Sequence, residues 1–299
     1  MIKMGIKLSM GLLLVPFLLI SCSDEKNKNG EESVTMNQEK KTKITTLFEV
    51  AFYGKPEHIQ RYLDHNHNIN EGDRNSNSTP IYYAIQANQV DTIKPFIGYG
   101  ASLEHKNSKG QTPLHMAVTL GRSKIVDILL ESGSDINAVD NNGLTSLIYA
   151  IENKRESIAI KLINRGAKLN IDNAYGITPL HMALQQNSKS IIKLLLDKGI
   201  DINIQNKEGS SALHYAVMKK RSKITKLLIT KGANVNLQDK SGSTALHIAV
   251  ANNELEVVKL LLKNGADKSL KTENNETASD IAGKSWRKDI KKVLEDEEK

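Results

Sequence analysis

The sequence predicts an all-α solenoid in which pairs of antiparallel helices stack side by side and hairpin-like loops join one pair to the next. Three observations predict it. First, a segment led by Thr or Ser returns every 33 residues, at Thr46, Thr79, Thr112, Thr145, Thr178, Ser211, Thr244 and Thr277, and the register never slips. Second, each unit carries two apolar patterns of helical spacing, divided and closed by turn-forming residues. Third, aromatics make up only 4% of the 299 residues and Cys22 is the sole cysteine. Neither large aromatic anchors nor internal disulfides are available, so stability has to come from stacking.

The elements follow in chain order. Met1 to Lys7 carries Lys3 and Lys7, and Leu8 to Ile20 (LSMGLLLVPFLLI) is almost wholly apolar. That run has the length of a secretory leader and is short of the ~20 residues that span a bilayer. It ends in LISC, Leu19 to Cys22. An aliphatic residue, two further positions of which the second is small, and then cysteine resembles the lipobox of bacterial lipoproteins. The resemblance implies cleavage before Cys22 and acylation there, with residues 1–21 lost as a signal peptide. Lys plus Arg exceed Asp plus Glu by 41 to 34; without Lys3 and Lys7 the balance is 39 to 34, or +5. This mild excess lacks aromatic interleaving and any binding motif, so no nucleic-acid partner is expected. Residues 22–43 contain SDEKNKNGEESVTMNQEKKTK, which has no apolar periodicity and reads as a disordered tether.

Residues 44–296 form the repeat domain, and 297–299 a charged tail. In the Thr112 unit, Thr112 suits the helix N-cap and Pro113 the first helical position. Leu114 and Ala117 share a face, and Gly121 breaks the first helix. Ile125, Val126, Ile128, Leu129 and Leu130 make a wide apolar face on the second helix, which Gly133 terminates. SDINAVDNNG then supplies the loop to Thr145. Gly110, Gly143, Gly176, Gly209 and Gly242 hold one frame position, and Asn137, Asn170, Asn203 and Asn236 another. The period of 33 and TPLHMA at Thr112 and Thr178 resemble the ankyrin repeat. The resemblance covers Thr46 to about Leu294, six full repeats with degenerate caps. EVAFYGKPEHIQRYL fits the N-terminal cap, with Pro56 near the start of its second helix. At the other end KSWRKDIKKVLEDEEK fits a capping helix whose inner face is Ile290, Val293 and Leu294. Two departures stand out. Pro95 falls inside a second helix, which is expected to be kinked or shortened. Between His65 and Thr79 the helix-end glycine is missing and Asn70 sits one residue early, so that loop should differ.

His115, His181, His214 and His247 occupy one repeat position. Repetition sets equivalent groups side by side along the stack, whereas catalysis needs different groups converging on one point. The resemblance implies a structural histidine, bonded near its helix start and fixing the adjoining loop. No nucleophile elbow or phosphate loop is present, no cofactor is implied, and the chain is expected not to be an enzyme. The competing reading centres a metal-linked or enzymatic role on His58, His65 and His67; another makes the chain a structural spacer.

The resemblance further implies that a partner protein binds the concave face, made of hairpin tips and first helices. Leu144, Tyr175 and Ile177 are large apolar residues at tips whose neighbours are polar, and Leu120 and Met218 flank them on helices. Lys109, Lys207, Lys219 and Lys240 would rim this patch. Its exposed apolar character would mark a binding site; alternatively, these side chains fold back onto adjacent hairpins. The expectation is a monomeric repeat domain, lipid-anchored in the bacterial cell envelope and facing the periplasm or outer membrane. Its partner is a protein of unknown identity.

Overall fold

The structure, a computed structural model, describes residues 46–171, 173–283 and 287–296. They lie in the second of the two units into which the chain divides, Ile44–Lys299. The leader, Cys22, the tether and the tail lie outside the described residues.

Six helix pairs follow the sequence frame: α3 (Pro80–Gln86) with α4 (Val90–Gly98), α5 (Pro113–Leu120) with α6 (Ser123–Glu131), and α7 (Ser146–Glu152) with α8 (Glu156–Asn164). The series continues with α9 (Pro179–Gln186) and α10 (Lys189–Asp197), α11 (Ala212–Met218) and α12 (Ser222–Thr230), and α13 (Ala245–Ala251) and α14 (Leu255–Lys263). At the N-terminal end stand α1 (Leu47–Tyr53), a 3₁₀ turn (Pro56–His58) and α2 (Ile59–Leu63). At the other end stand α15 (Ala278–Gly283) and α16 (Lys288–Asp296). Among the described residues there is no strand, only one isolated bridge between Val139 and Thr145. Each first helix packs on the next, α3 on α5, α5 on α7, α7 on α9, and so along the stack. One apolar core therefore runs from Leu47 to Leu294. The five-to-nine-residue helices are too short to persist alone and depend on that packing.

Local chemistry sets the helix ends. The frame residue has extended backbone at the N-cap, as at Thr178 (φ −89°, ψ 164°), and its hydroxyl accepts the His181 N–H at 3.4 Å. Nine residues after each frame residue, in all six pairs, the chain turns through the left-handed region. The residues there are Asn88, Gly121, Lys154, Asn187, Lys220 and Asn253. At the C-terminal cap Ile290 and Leu294 are buried.

Pro95 does not shorten its helix: α4 has nine residues, as α6 does. Proline forfeits only the bond to Asp91, and buried Thr92, Ile93 and Phe96 hold the helix on the core. The loop before Thr79 does differ. Asn66, one residue ahead of the glycine frame, takes the left-handed turn (φ 66°). Asn70, equally early, still reaches the next repeat: its Oδ1 accepts the Ser102 N–H at 2.7 Å and its Nδ2 donates to the Gly100 carbonyl at 3.0 Å.

Candidate partner-binding face

The hairpin loops build one edge of the stack. Five residues before each full-repeat Thr or Ser from Thr112 to Thr244 stands an Asn or Asp: Asn107, Asp140, Asn173, Asn206 and Asp239. Asp140 is typical: its Oδ1 accepts the N–H groups of Asn142 and Leu144, both at 2.8 Å. This closes the hairpin, and the glycine that follows the tip takes a positive φ, 63° at Gly176. Backbone bonds then join tip to tip: Ser108 N–H to Ser76, Asn141 to Lys109, Ala174 to Asn142, Lys207 to Tyr175, Lys240 to Glu208 and Glu273 to Ser241, at 2.7 to 3.2 Å. The asparagines of the second frame position add a rung, Asn137 Oδ1 accepting the Lys168 N–H and Asn203 Oδ1 the Asn234 N–H, each at 2.8 Å.

The histidines pin helix to hairpin. His115 Nδ1 accepts the Thr112 N–H at 3.2 Å, so its proton lies on Nε2, which donates to the Leu144 carbonyl of the next hairpin at 3.1 Å. His181 does the same between Thr178 and Ser210, and His214 between Ser211 and Ser243. His247 accepts from Thr244 and faces the Glu276 carbonyl. All four are buried, and burial pulls each below the usual imidazole range, His181 to about 4. Neutral, and with both nitrogens engaged at His115, His181 and His214, they serve as staples. Two units replace the histidine. Tyr82 sets its hydroxyl 2.6 Å from the carbonyls of His105 and Gln111, sharing one proton across them. Ile148 has no donor, and the Ile177 carbonyl instead accepts from Asn173 Nδ2.

Two of the expected patch residues are not exposed. Leu144 is 2% exposed and Ile177 9%, both within the core. Their N–H groups bond the hairpin Asp140 and Asn173, which turns each side chain inward under the loop. Tyr175 and Leu120 are half-buried and lean on the core, while Met218 is 47% exposed. Lys109, Lys207, Lys219 and Lys240 are exposed. Between tips and helices lies a stripe that the sequence reading missed, four residues after each frame residue: Tyr83, Met116, Tyr149, Met182, Tyr215 and Ile248. All but Met182 are half-buried. Tyr149 donates to Asp140 at 2.8 Å and accepts from Gln111 Nε2 at 2.9 Å; Tyr215 accepts from Asn206 at 3.1 Å. The signal was present in the variable position of TPLHMA, where apolar residues recur in every unit.

His58, His65 and His67 do not converge. His65 Nδ1 lies 2.6 Å from the Arg61 carbonyl, and the His67 ring lies against Tyr62, 5.7 Å between centroids. Among the described residues no group of three potential ligands is disposed to hold a metal ion.

Stacked helix pairs tied by capping histidines and closed hairpins define a helical repeat protein. The sequence matches the ankyrin repeats family in three overlapping stretches, residues 47–140, 133–206 and 180–272. The chain belongs to that family. Among solved structures it is similar to the ankyrin repeat domain of Bcl-3, described as a unique member of the IkappaB protein family. The two share 32% identity and a TM-score of 0.64, over 73% of this chain and 98% of that one. No curated protein matches.

Proposed function

We propose that this is a lipid-anchored protein of the bacterial cell envelope that binds a partner protein, without catalysis, through its hairpin tips and first helices. One observation carries the binding part: the stripe from Tyr83 to Ile248, half-buried at every position but Met182, recurs on each first helix, with Tyr175 and Leu120 half-buried, Met218 exposed and the four lysines exposed. Large side chains with a polar rim are the usual make-up of a binding surface, and tyrosine combines apolar area with a polar tip. A stable interface buries ~800 Å² per partner, which calls for several consecutive repeats. The non-catalytic part follows from the histidines, whose engaged nitrogens leave no proton acceptor free at His115, His181 or His214. The anchor rests on the LISC motif, since two or more acyl chains hold a protein at the membrane at ~0.8 kcal/mol per buried methylene.

The test is in-cell crosslinking with identification of the captured protein, comparing the parent with Tyr175→Ala/Met218→Ala. Capture should fall at least tenfold, about 1.4 kcal/mol, with the helical signal unchanged. Equal capture by parent and variant removes the face from consideration. In parallel, Cys22→Ser should abolish partitioning into detergent, and a variant that partitions like the parent contradicts the anchor.

A further inference from the structure

The outward side of the second helices changes character along the stack. Fifteen residues after the frame residue, one position reads Lys94, Asp127, Ile160, Lys193, Lys226 and Lys259, and the same register continues to Lys292 on α16. In the first half the row is broken: Asp127 is held by Lys161 and Arg165, and Ile160 is apolar. From α10 onward it is lysine on four consecutive second helices, α10, α12, α14 and α16, and all four lysines are exposed. Each has another exposed lysine three or four positions before or after it, and so on the same helix face: Lys189, Lys223, Lys263 and Lys288. The helices hold this register. α14 packs on α12 and on α16, and Lys231, just past α12, bonds Asp197 of α10 at 2.9 Å. Of the carboxylates exposed on these helices, Asp197 is thus taken, Glu256 bonds Lys259 at 3.2 Å, Glu295 bonds Lys291 at 3.7 Å, and Asp289 stands beside Lys288; α12 has none. Among the described residues, Lys259 alone of these paired lysines has a carboxylate within 4 Å.

We propose that this lysine face lies against an anionic lipid surface, the phosphate headgroups of the membrane that holds the chain. The reading rests on the lipid anchor proposed above. Helices packed ~8–10 Å apart set like charges at about the Debye length of 0.1 M salt. The lysines therefore repel one another in solution, and an array of phosphates relieves that repulsion. The row is ~30 Å long. Lysine is a compact point charge that needs no fixed partner geometry, which suits mobile headgroups better than a shaped ligand. A protein bound here would need a buried anchor, yet the large apolar residues exposed in the described part, Tyr53, Tyr99 and Met218, all lie off these helices. Residues 22–45 have a contour of at most ~80 Å, long enough for the domain to lie side-on at the membrane. The lysines stand on second helices and the tyrosine stripe on first helices, so membrane contact leaves the proposed partner face uncovered.

The test is sedimentation with vesicles of phosphatidylcholine and phosphatidylglycerol, compared with phosphatidylcholine alone. The chain is residues 22–299 carrying Cys22→Ser, so that no acyl group contributes. It should bind the mixed vesicles, leave the neutral ones, and come off as salt rises to ~0.5 M. Lys193→Glu/Lys226→Glu should weaken binding about tenfold or more. Lys94→Glu/Lys124→Glu makes the same charge change on exposed lysines of α4 and α6 and should weaken it less than about twofold. Lys193→Gln/Lys226→Gln, milder towards the fold, should fall between, with the helical signal unchanged in every variant. Equal binding to neutral vesicles, equal losses in the two glutamate pairs, or binding to soluble polyglutamate with none to vesicles would overturn the proposal. Without an acyl group the result does not depend on whether Cys22 is acylated in the cell, so its failure is separate from failure of the anchor.

Discussion

The two edges of the stack are built under different constraints. Along the hairpin edge, nearly every unit repeats one set of bonds: a side chain closing the hairpin, a glycine after the tip, a histidine reaching the next loop, and a backbone bond from tip to tip. Along the helix-turn edge the same positions vary. The left-handed residue is Asn, Gly or Lys, and the residue after it is Gln, Arg, Arg, Ser, Arg or Glu. The difference has a physical origin. At the hairpin edge, backbone meets backbone across the repeat boundary, so a substitution in one unit disturbs two. At the turn edge only side chains cross, and one can be exchanged or omitted without moving the chain. The hairpin edge therefore holds the fold, and the turn edge has latitude for substitution.

Acid should break this comparison most strongly, because the four repeat histidines that it protonates all lie on the hairpin side. The four repeat histidines are neutral in the fold, with His181 depressed to about 4, against ~6.5 in an unfolded chain. Between these values the unfolded chain binds more protons. The stability that these histidines contribute is thus complete above pH 6.5 and is lost as pH falls towards 4. At ~1.4 kcal/mol per pKa unit, His181 alone accounts for a few kcal/mol in order of magnitude. Burial raises the carboxyls of Glu104 and Glu152, which offsets part of the loss. The melting temperature should fall steeply between pH 7 and 5. His181→Gln should lower it at pH 7 and make its pH dependence shallower. A slope unchanged by that substitution would show that the staple does not titrate as described.

Two glycines of like backbone sharpen the comparison at the next level. Gly176 (φ 63°) and Gly199 (φ 76°) both lie in the left-handed region, where an L side chain costs ~1–2 kcal/mol. A Cβ at Gly199 would meet nothing within 4 Å, whereas at Gly176 it would come within 2.9 Å of the Asn206 Cα in the next hairpin. Gly199→Ala should cost about 1–2 kcal/mol by urea denaturation, and Gly176→Ala a further ~1–3 kcal/mol for the clash. Equal costs would mean that the hairpins can part without penalty.

The smallest effect belongs to the turn edge. Lys154 occupies the left-handed region at φ 55°. Lys154→Gly should raise stability by ~1 kcal/mol, since glycine carries no penalty there. If it destabilises the protein, side-chain contacts of Lys154 outweigh the backbone strain.

Much of this was legible in the 33-residue frame. Thr or Ser at the helix start, proline behind it and apolar residues at helical spacing determined the helix pairs, their order and the stacked core. Repetition of His115, His181, His214 and His247 was enough to argue against catalysis before their bonds were seen, because identical groups one repeat apart do not converge. The binding patch was read less well. Leu144 and Ile177 occupy tip positions whose counterparts are polar, and sequence carries no sign of which way a tip side chain turns. That direction follows from the bonds of Asp140 and Asn173 to the N–H groups of these two residues. Pro95 likewise pointed to a kinked or shortened helix, yet α4 keeps its full length, with Ile93 and Phe96 buried on the core. The sequence by itself determined the repeat, its period and the ends of its helices, because each depends on residues near in the chain. Only the tertiary structure decided which apolar tips are buried and which carbonyls the histidines and arginines reach, because each depends on a residue roughly one repeat away and on the space between.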